Sequence, residues 1–212
     1  MNNIKHEFSE IEEGSSNQAI LNLVEYIEKT LPDFPHSQEF VDILEKKKNE
    51  NQHSQSFCVY MTNKCKSKYY FGRENAQKGS YAIDIGIYQG SNLIFTIEAK
   101  LLPTPKGTKK EPRAEYEYVY GKGAGIQRFR DGFHGVDNQD NPLFENGMIA
   151  YIKENDFDYW FSKVNKWVND AQWDKSEQLD KLYFKTIGKL FSKHPRQKAP
   201  DVSLYHFWIY VN

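Results

Sequence analysis

Apolar residues near the start of the chain recur at the three- and four-residue spacing of one helical face. They are Ile20, Leu21, Val24, Ile27 and Leu31. Residues 15–17 supply helix-capping residue types before them, and Pro32 ends the pattern. A second helix is expected after Pro35, with Ser37 as its cap. The residues that it would bury are Phe40, Val41 and Leu44.

The centre of the chain alternates in the way that β-strands do. Two runs rich in Ile, Tyr and Phe, at 81–88 and 93–101, flank the turn-forming segment 89–92. This pattern predicts a β-hairpin. Because side chains alternate across a strand, Glu98 and Lys100 share one face of the second strand, whereas their apolar neighbours point to the other.

The remaining hydrophobic pattern predicts an order of helices and strands. Before the hairpin, the predicted elements are a linker at 46–56 and strands at 57–61 and 69–71. After it come a polar loop at 102–120, a short helix at 124–130 and a strand at 147–153. The last elements are a helix capped by Asp156, a helix beginning near Ser176 and a final strand at 204–211. The last strand is apolar on both faces and is therefore expected inside the sheet. These elements predict an α/β fold, an α/β/α sandwich with a central mixed β-sheet, in a single domain over residues 1–212.

Composition argues against several classes of protein. No apolar run approaches the roughly 20 residues that cross a membrane, and the first residues lack the apolar core of a signal peptide. The two cysteines, Cys58 and Cys65, are too few for a disulfide framework, and no zinc-site spacing accompanies them. We therefore expect a cytoplasmic protein without a membrane partner.

Positive charge is concentrated after the hairpin, although the net charge of the chain is only −1. Between Lys100 and Arg130 there are eight basic and three acidic residues. Two smaller basic clusters lie at 64–73 and 189–198. A basic surface around the hairpin would attract phosphate groups, although solvated lysine-rich loops would give the same pattern.

Asp84 and Glu98 are the candidate catalytic carboxylates. A hairpin loop of four or five residues places Asp84 opposite Ile97 or Glu98, so that both carboxylates and the amine of Lys100 converge. The surrounding strand positions are apolar, and charged groups are seldom buried unless they are paired or bind a metal ion. Two adjacent carboxylates with open coordination positions suit Mg²⁺ or Mn²⁺, which would polarise a phosphate and activate water.

Lys100 completes this pattern. Its positive charge would act near the attacking water or on the charge that develops on phosphorus. The alternative is that Glu98 and Lys100 form an ordinary salt bridge on an exposed strand face. An E-x-K triplet alone is uninformative, but the preceding Asp84 at the end of an aliphatic strand makes a metal site the favoured interpretation.

These three residues, in this order on a hairpin, resemble the motif of the PD-(D/E)xK nuclease superfamily. Ile83 replaces the proline that often precedes the first aspartate. The resemblance implies a restriction-endonuclease-like fold and a Mg²⁺-dependent nuclease that hydrolyses phosphodiester bonds in DNA. It also implies a metal-site glutamate from the first helix, with Glu13 as the candidate and Glu12 and Glu25 as alternatives. Gln127, on the helix after the motif strand, matches a further catalytic position, although an ordinary surface glutamine would fit the sequence equally well.

The substrate-binding surface is expected on the loop and helix that follow the motif strand. Its basic residues are Lys106, Lys109, Lys110, Arg113, Arg128 and Arg130. The nuclease core would occupy nearly the whole chain, so cleavage would be unspecific, directed by DNA shape or licensed by another polypeptide. We therefore expect a regulatory or sensor protein partner, in an antiviral defence or restriction system. Double-strand cutting would favour a homodimer.

Several other features are open to a functional or a structural interpretation. His134 is either a general base or phosphate ligand or an ordinary loop residue, whereas His206 is expected to be a hydrogen-bonded core residue. The acidic run 137–141 lacks the glycine and distal glutamate of a calcium-binding loop and predicts a turn. The glycines at 121–125 lack the G-K-[ST] sequence of a nucleotide-binding loop. The alternative for the whole chain is a non-catalytic nucleic-acid-binding or assembly subunit with a vestigial nuclease site.

Overall fold

A mixed β-sheet of seven strands organises the described part of the protein. The computed structural model describes residues 18–44, 49–107, 113–121 and 124–211. The strands are β1 Tyr70–Ala76, β2 Ala82–Gln89, β3 Asn92–Leu102, β4 Glu145–Ile152, β5 Asp180–Phe184, β6 Ile187–His194 and β7 Val202–Tyr210. Their order in the sheet is β1-β2-β3-β4-β7-β6-β5. The final strand therefore lies inside the sheet, as its apolar pattern predicts.

Five α-helices and three short 3₁₀ turns accompany these strands in the described residues. The helices are α1 at 18–30, α2 Gln38–Leu44, α3 Glu50–Lys64, α4 Ile126–Arg130 and α5 Phe157–Asp170. The 3₁₀ turns are Leu31–His36, Glu115–Tyr118 and Lys175–Glu177. No helix in the described ranges is both long and apolar enough to span a lipid bilayer.

The strand directions make the sheet mixed. Strands β1, β2 and β3 form an antiparallel meander, and β3, β4 and β7 run parallel. Strands β7, β6 and β5 are again antiparallel. The parallel step from β3 to β4 requires a crossover, and α4 lies in that connection. The predicted α/β class with a mixed sheet is therefore confirmed.

Apolar clusters cover both faces of the sheet. Along β4, Ile149 and Tyr151 belong to one cluster, whereas Met148 and Ile152 belong to the other. Since alternate residues of a strand point to opposite faces, the two clusters lie on opposite sides of the sheet. The first contains residues of α1 and α3, and the second contains residues of α4 and α5. This arrangement is compatible with the predicted sandwich.

The first two helices match their predicted patterns in part. Ile20, Val24, Ile27 and Leu31 are buried, but Leu21 is 43% exposed. The predicted cap residues of α1 lie outside the described residues. Ser37 caps α2 as predicted, because its Oγ accepts a hydrogen bond from the Phe40 amide at 3.2 Å. The prediction that Val41 is buried is wrong, since it is 52% exposed.

The predicted linker at 46–56 and strand at 57–61 are wrong, because α3 occupies Glu50–Lys64. Asn49 caps this helix by accepting a hydrogen bond from the Gln52 amide at 2.9 Å. The helix is hard to recognise because its buried face includes polar residues. They are His53, Ser54 and Ser56.

The helix predicted near Ser176 is also wrong. That region forms only the 3₁₀ turn Lys175–Glu177, followed by the hairpin of β5 and β6. Strand β6 pairs with β7 along its whole length, and one of its faces buries Leu190, Ser192 and His194. Two of these three residues are polar, so the apolar alternation that would predict a strand is broken. The capped helix α5 is confirmed, because the Asp156 carboxylate accepts a hydrogen bond from the Tyr159 amide at 2.7 Å.

A chain of buried hydrogen bonds explains those polar positions. The Trp208 indole donates to Tyr118 Oη at 2.9 Å. The links that follow are Tyr118 Oη to His206 Nδ1 at 2.8 Å, His206 Nε2 to Ser192 Oγ at 2.8 Å, Ser192 Oγ to His194 Nε2 at 2.8 Å and His194 Nδ1 to Glu177 Oε2 at 3.1 Å. All of these links are satisfied if each group donates to the next and both imidazoles are neutral. His206 is thus confirmed as a hydrogen-bonded core residue.

Acidification is expected to destabilise the protein through its buried histidines. Burial lowers the pKa of His134 to about 3, and it lowers the pKa of His194 and His206 as well. The unfolded chain therefore binds protons first, below a pH of about 6.5, and stability falls as the pH drops through that range. The urea midpoint should be lower at pH 5 than at pH 7.5. An unchanged midpoint would show that the buried imidazoles do not dominate the pH dependence, since Asp84, with its pKa raised to about 6, acts in the opposite direction over this range.

Candidate active site

The β2–β3 hairpin brings the predicted carboxylates together. Ile85 pairs with Ile97 across the two strands, and continuing that antiparallel register places Asp84 opposite Glu98. The Asp84 Oδ2 atom accepts a hydrogen bond from the amide of Ala99 at 2.8 Å. Asp84 is therefore anchored to the motif strand, at the residue between Glu98 and Lys100.

Glu98 and Lys100 form a buried ion pair. Lys100 Nζ lies 2.6 Å from Glu98 Oε1, and the two side chains are only 5% and 3% exposed. Arg128 adds a second cation, with its Nη1 at 3.6 Å from the same oxygen. The pair is thus not an ordinary salt bridge on an exposed strand face. Burial of such charges is costly unless they are paired and hydrogen-bonded, which these are.

The electrostatics of the three motif residues are coupled. Burial raises the pKa of Asp84 to about 6, and the neighbouring Glu98 carboxylate raises it further against the opposing effect of Lys100. Burial opposes the charged form of Lys100, but the carboxylates of Glu98, Glu50 and Asp84 outweigh it and raise the pKa of its amine. Lys100 is therefore a cation at neutral pH, and Asp84 carries a negative charge that its surroundings do not fully balance.

Glu50 is a site residue that the sequence interpretation missed. It begins α3, and its Oε2 accepts a hydrogen bond from the amide of Leu101 at 2.9 Å, next to Lys100. Its Oε1 lies 3.6 Å from Arg113 Nη2. Because the helix itself was mistaken for a linker, no pattern drew attention to this carboxylate. Asn49, a residue type that often caps helices, was the feature of the sequence that could have indicated a helix beginning at Glu50.

The glutamates predicted to join the site from the first helix lie elsewhere or are not described. Glu12 and Glu13 lie outside the described residues. Glu25 is on α1, where its carboxylate pairs with Lys29 at 2.6 Å and its side chain is 58% exposed. Within the described residues, Glu50 is the helical glutamate whose hydrogen bond reaches the motif strand.

His134 is buried beside Glu98. Its Nδ1 lies 3.5 Å from Glu98 Oε2, and the ring is fully buried. Burial, and then the charges of Arg128 and Lys100, lower the pKa of His134 to about 3. The imidazole is therefore neutral, so its contact with Glu98 is not an ion pair. It remains a neutral polar group at the edge of the site.

Helix α4 contributes Arg128 to the site rather than the side chain of Gln127. Gln127 Oε1 accepts a hydrogen bond from the Gly121 amide at 3.0 Å and so holds the preceding loop. Arg128, the next residue, reaches Glu98 and also lies over the ring of Tyr81, 5.5 Å from its centroid. The short helix itself matches its prediction.

The predicted DNA-binding residues differ in their availability. Lys106 is exposed, whereas Arg113 pairs with Glu117 at 2.9 Å as well as with Glu50. Arg130 Nε lies 2.8 Å from Glu177 Oε2, the last group of the buried hydrogen-bond chain described above. Lys109 and Lys110 lie outside the described residues. The arginines of this surface are therefore engaged by carboxylates in the structure.

Two further sequence interpretations concern residues around the site. The run 137–141 forms the predicted turn, because the Asp137 carboxylate accepts hydrogen bonds from the amides of Gln139 and Asn141 at 2.8 and 2.9 Å. Cys58 and Cys65 are free and buried thiols, as the argument against a disulfide framework requires.

The carboxylates of Asp84 and Glu98 are the groups of this site that could bind a divalent cation. Among the described residues, no group of three or more His, Cys, Asp or Glu side chains is arranged to hold a metal ion. Mg²⁺, however, commonly binds through one or two carboxylates and completes its shell with water and substrate phosphates. Asp84 and Glu98 supply two such carboxylates. Burial, and then the neighbouring Glu98 carboxylate, raise the pKa of Asp84, and a cation bound between the two carboxylates would favour their charged forms.

The fold and the site together define an α/β protein with a cluster of two carboxylates and a lysine on one hairpin. No protein-family model, curated protein or solved structure matches the chain. The functional interpretation therefore depends on the geometry of this cluster and on the chemistry of the residues around it.

Proposed function

We propose that the protein is a Mg²⁺- or Mn²⁺-dependent nuclease with a restriction-endonuclease-like fold. The observation that carries this proposal is the buried cluster of Asp84, Glu98 and Lys100. A structural salt bridge needs only Glu98 and Lys100, and it gives no reason to place a second carboxylate of raised pKa beside them. Catalytic sites are where such perturbed groups concentrate.

The residues of the site have separable roles in this proposal. Asp84 and Glu98 would hold the cation, and Glu50 extends the acidic edge of the site next to Lys100. When bound, the cation neutralises phosphate charge and lowers the pKa of a coordinated water. Lys100 places a positive charge beside Glu98, where it stabilises the negative charge that develops on the phosphate. Arg128 supplies a second cation on the α4 side.

DNA is the proposed substrate, on the basis of the resemblance to PD-(D/E)xK nucleases. The exposed Lys106 would contact phosphates directly, and Arg113 and Arg128 would do so after exchanging their carboxylate partners, whereas Arg130 stays bound to Glu177. Control by a regulatory or sensor protein, in a defence or restriction system, and assembly into a homodimer belong to the same proposal. Glu13 retains its predicted role within it, whereas the side chain of Gln127 holds the loop at Gly121.

A plasmid-nicking assay tests the proposed function. Purified protein with Mg²⁺ or Mn²⁺ should convert supercoiled DNA to nicked or linear forms, and EDTA should abolish the conversion. The thermal midpoint should also rise with either cation, because a ligand that binds only the folded state stabilises it. The absence of both effects, with and without polypeptides encoded nearby, would contradict the proposal.

The alternative of a non-catalytic nucleic-acid-binding or assembly subunit has one observation in its favour. Glu98 is already contacted by Lys100 and Arg128, which is the arrangement of a purely structural ion cluster. In that case DNA would bind without being cut, and neither cation would change the thermal midpoint. The same two measurements therefore separate the alternatives.

A further inference from the structure

A cavity of about 440 Å³ lies beside the carboxylate cluster, and none of the roles described above uses it. Four segments that are distant in the sequence line it. They are the β1–β2 turn at Lys78, the loop after α4 at 131–136, the turn at 140–142 and the β6–β7 connection at 196–199. His134 is one of the residues that line this cavity, and its buried ring lies 3.5 Å from Glu98, so His134 stands between the cavity and the candidate active site.

Specific contacts hold the walls of the cavity in place. The buried side chain of Gln77 accepts hydrogen bonds from the amides of Gly135 and Val136 at 2.9 and 3.1 Å. These bonds fasten the β1–β2 turn to the loop after α4. Gly135 has φ +77, and a side chain there would meet Asn146 at 2.7 Å and Arg196 at 2.8 Å. Glycine is therefore required at this position, where the loop passes over Arg196.

Arg196 is a buried cation without an anionic partner among the described residues. It is 8% exposed, and its Nε and Nη1 donate to the carbonyl oxygens of Phe129 and Leu143, each at 3.0 Å. Its Nη2 is buried and has no hydrogen-bond partner within the described ranges. A buried charge normally has a counter-ion, so the positive potential of Arg196 favours an anion in the cavity that it lines. Lys78 and Lys198 add two exposed cations to the lining.

Two carboxylates oppose this potential at the cavity mouth. Asp131 and Asp140 line the cavity and are both exposed. With Lys78, Arg196 and Lys198, the lining has three cations against two anions. Exposed charges act through water and are screened, whereas the charge of Arg196 acts from the interior. The balance favours a single negative group, such as one phosphodiester, over a highly charged one.

An aromatic face stands next to the cationic lining. Phe133 lines the cavity and is 37% exposed, and its ring stacks on Tyr81 at a centroid distance of 4.6 Å. Tyr81 is 36% exposed, and the guanidinium of Arg128, which contacts Glu98, lies over its ring. Exposed stacked aromatics beside cations are the features with which proteins bind unpaired bases. The cavity volume of about 440 Å³ lies within the range of pockets that bind small molecules.

We propose that this cavity binds one unpaired nucleotide of the substrate strand, with its phosphate towards Arg196 and Lys198 and its base against Phe133. The inference rests on the proposed nuclease function, because it takes the neighbouring Glu98 cluster as the place where that strand is cut. It narrows the substrate class to single-stranded DNA, or to duplex DNA with an unpaired nucleotide, since a base inside an intact duplex has no free face for Phe133.

Equilibrium binding in EDTA tests this inference without cleavage. The probe is a fluorescein-labelled 12-nucleotide single strand, measured by fluorescence anisotropy. Phe133→Leu should weaken binding by about 5- to 100-fold, because it removes a stacking face, and Phe133→Tyr should bind as the wild type does. Tyr70→Leu is the matched control, since Tyr70 is also exposed and contacts another ring, Tyr88, in the β1–β2 hairpin. Equal binding by Phe133→Leu and the wild type would overturn the inference.

The cationic lining has its own test. Lys198→Gln should weaken binding of the single strand and reduce the slope of log affinity against log salt by about 0.7. Lys185→Gln, at an exposed lysine in the β5–β6 hairpin, should leave both quantities unchanged. Asp131→Asn should strengthen binding, because it removes an opposing charge. If neither Lys198→Gln nor Asp131→Asn alters binding, the cavity does not hold the phosphate.

Further ligands and the nicking assay separate the possible outcomes. An intact duplex should bind more weakly and be insensitive to Phe133→Leu, and a free nucleoside monophosphate should compete only at far higher concentration. Competition by the monophosphate at the affinity of the strand would overturn the assignment in favour of a mononucleotide pocket. Phe133-dependent binding, with no cleavage of either supercoiled plasmid or single-stranded DNA, would contradict the proposed function but keep this inference. Nicking together with Phe133-independent binding would support the proposed function and overturn this inference.

Discussion

Asp84→Asn is expected to lower plasmid cleavage by more than about 100-fold and, at the same time, to stabilise the metal-free protein. Loss of groups that merely support a metal ligand costs about 10- to 100-fold, so loss of a ligand itself should cost more. Asn keeps an oxygen that can accept the hydrogen bond from Ala99, so the hairpin register is preserved. The change removes only the negative charge.

The stability gain follows from the surroundings of Asp84. Its pKa is raised from 3.8 to about 6, so the ionised form is disfavoured in the folded protein. Each unit of pKa corresponds to about 1.4 kcal/mol, and partial exposure reduces the effect, so the gain at pH 8 should be about 1–3 kcal/mol. Urea unfolding in EDTA measures it. Mg²⁺ should raise the thermal midpoint of the wild type but not that of the variant.

Asp158→Asn is the matched control for this substitution. Its carboxylate is 72% exposed and pairs with Lys181 at the surface. We expect this control to change neither cleavage nor stability by a measurable amount. If Asp84→Asn cuts plasmid at the wild-type rate, Asp84 does not take part in the chemistry. If it also lowers stability, the charge of Asp84 is balanced better than the structure indicates.

The hairpin and its charges could be predicted because they depend on local pattern. Alternation across β2 and β3 determines which residues share a face, and a short turn limits the register. The juxtaposition of Asp84 with the Glu98–Lys100 strand follows from those two rules. The pattern does not show that His134 lies 3.5 Å from Glu98, because His134 belongs to the loop after α4, which is distant from β3 in the sequence.

The missed elements are those whose buried faces are polar. Helix α3 buries His53 and Ser56, and β6 buries Ser192 and His194, so neither presents an apolar period. Hydrogen bonds in the interior compensate for the burial of these β6 residues, and such bonds join positions far apart in the sequence. Missing α3 also concealed Glu50. The cavity at Arg196 could not be predicted either, because four separate loops form it.

The buried hydrogen-bond chain connects the core of the sheet to the candidate active site. It passes from Trp208 through His206 and His194 to Glu177, which binds Arg130 of α4 through two contacts at 2.8 and 3.3 Å. Arg130 also lies over the ring of Trp173, at 4.9 Å from its centroid. The C-terminal end of α4 is thus held by Glu177 through Arg130, while Arg128 of the same helix contacts Glu98 of the candidate active site.

Glu177→Ala is therefore expected to cause a large loss of stability. Glu177 is 2% exposed, and burial opposes its charge, but His194 and Arg130 outweigh burial and lower the pKa of its carboxyl to about 2. Its removal leaves the His194 Nδ1–H buried without an acceptor and Arg130 without its carboxylate. The expected cost is about 2–4 kcal/mol, or a fall of roughly 5–15 °C in Tm. Thermal and urea unfolding measure it.

Glu25→Ala and Glu177→Gln show whether burial is the cause of that loss. Glu25 forms an exposed pair with Lys29 on α1, so its removal should cost less than about 1 kcal/mol. Glu177→Gln keeps an acceptor for His194 but loses the charge that binds Arg130, so its cost should be intermediate. Equal stability losses in the Glu177→Ala and Glu25→Ala variants would show that the buried hydrogen-bond chain does not hold α4. A Glu177→Gln variant as unstable as Glu177→Ala would show instead that the ion pair with Arg130, rather than the hydrogen bond to His194, is what fastens the helix.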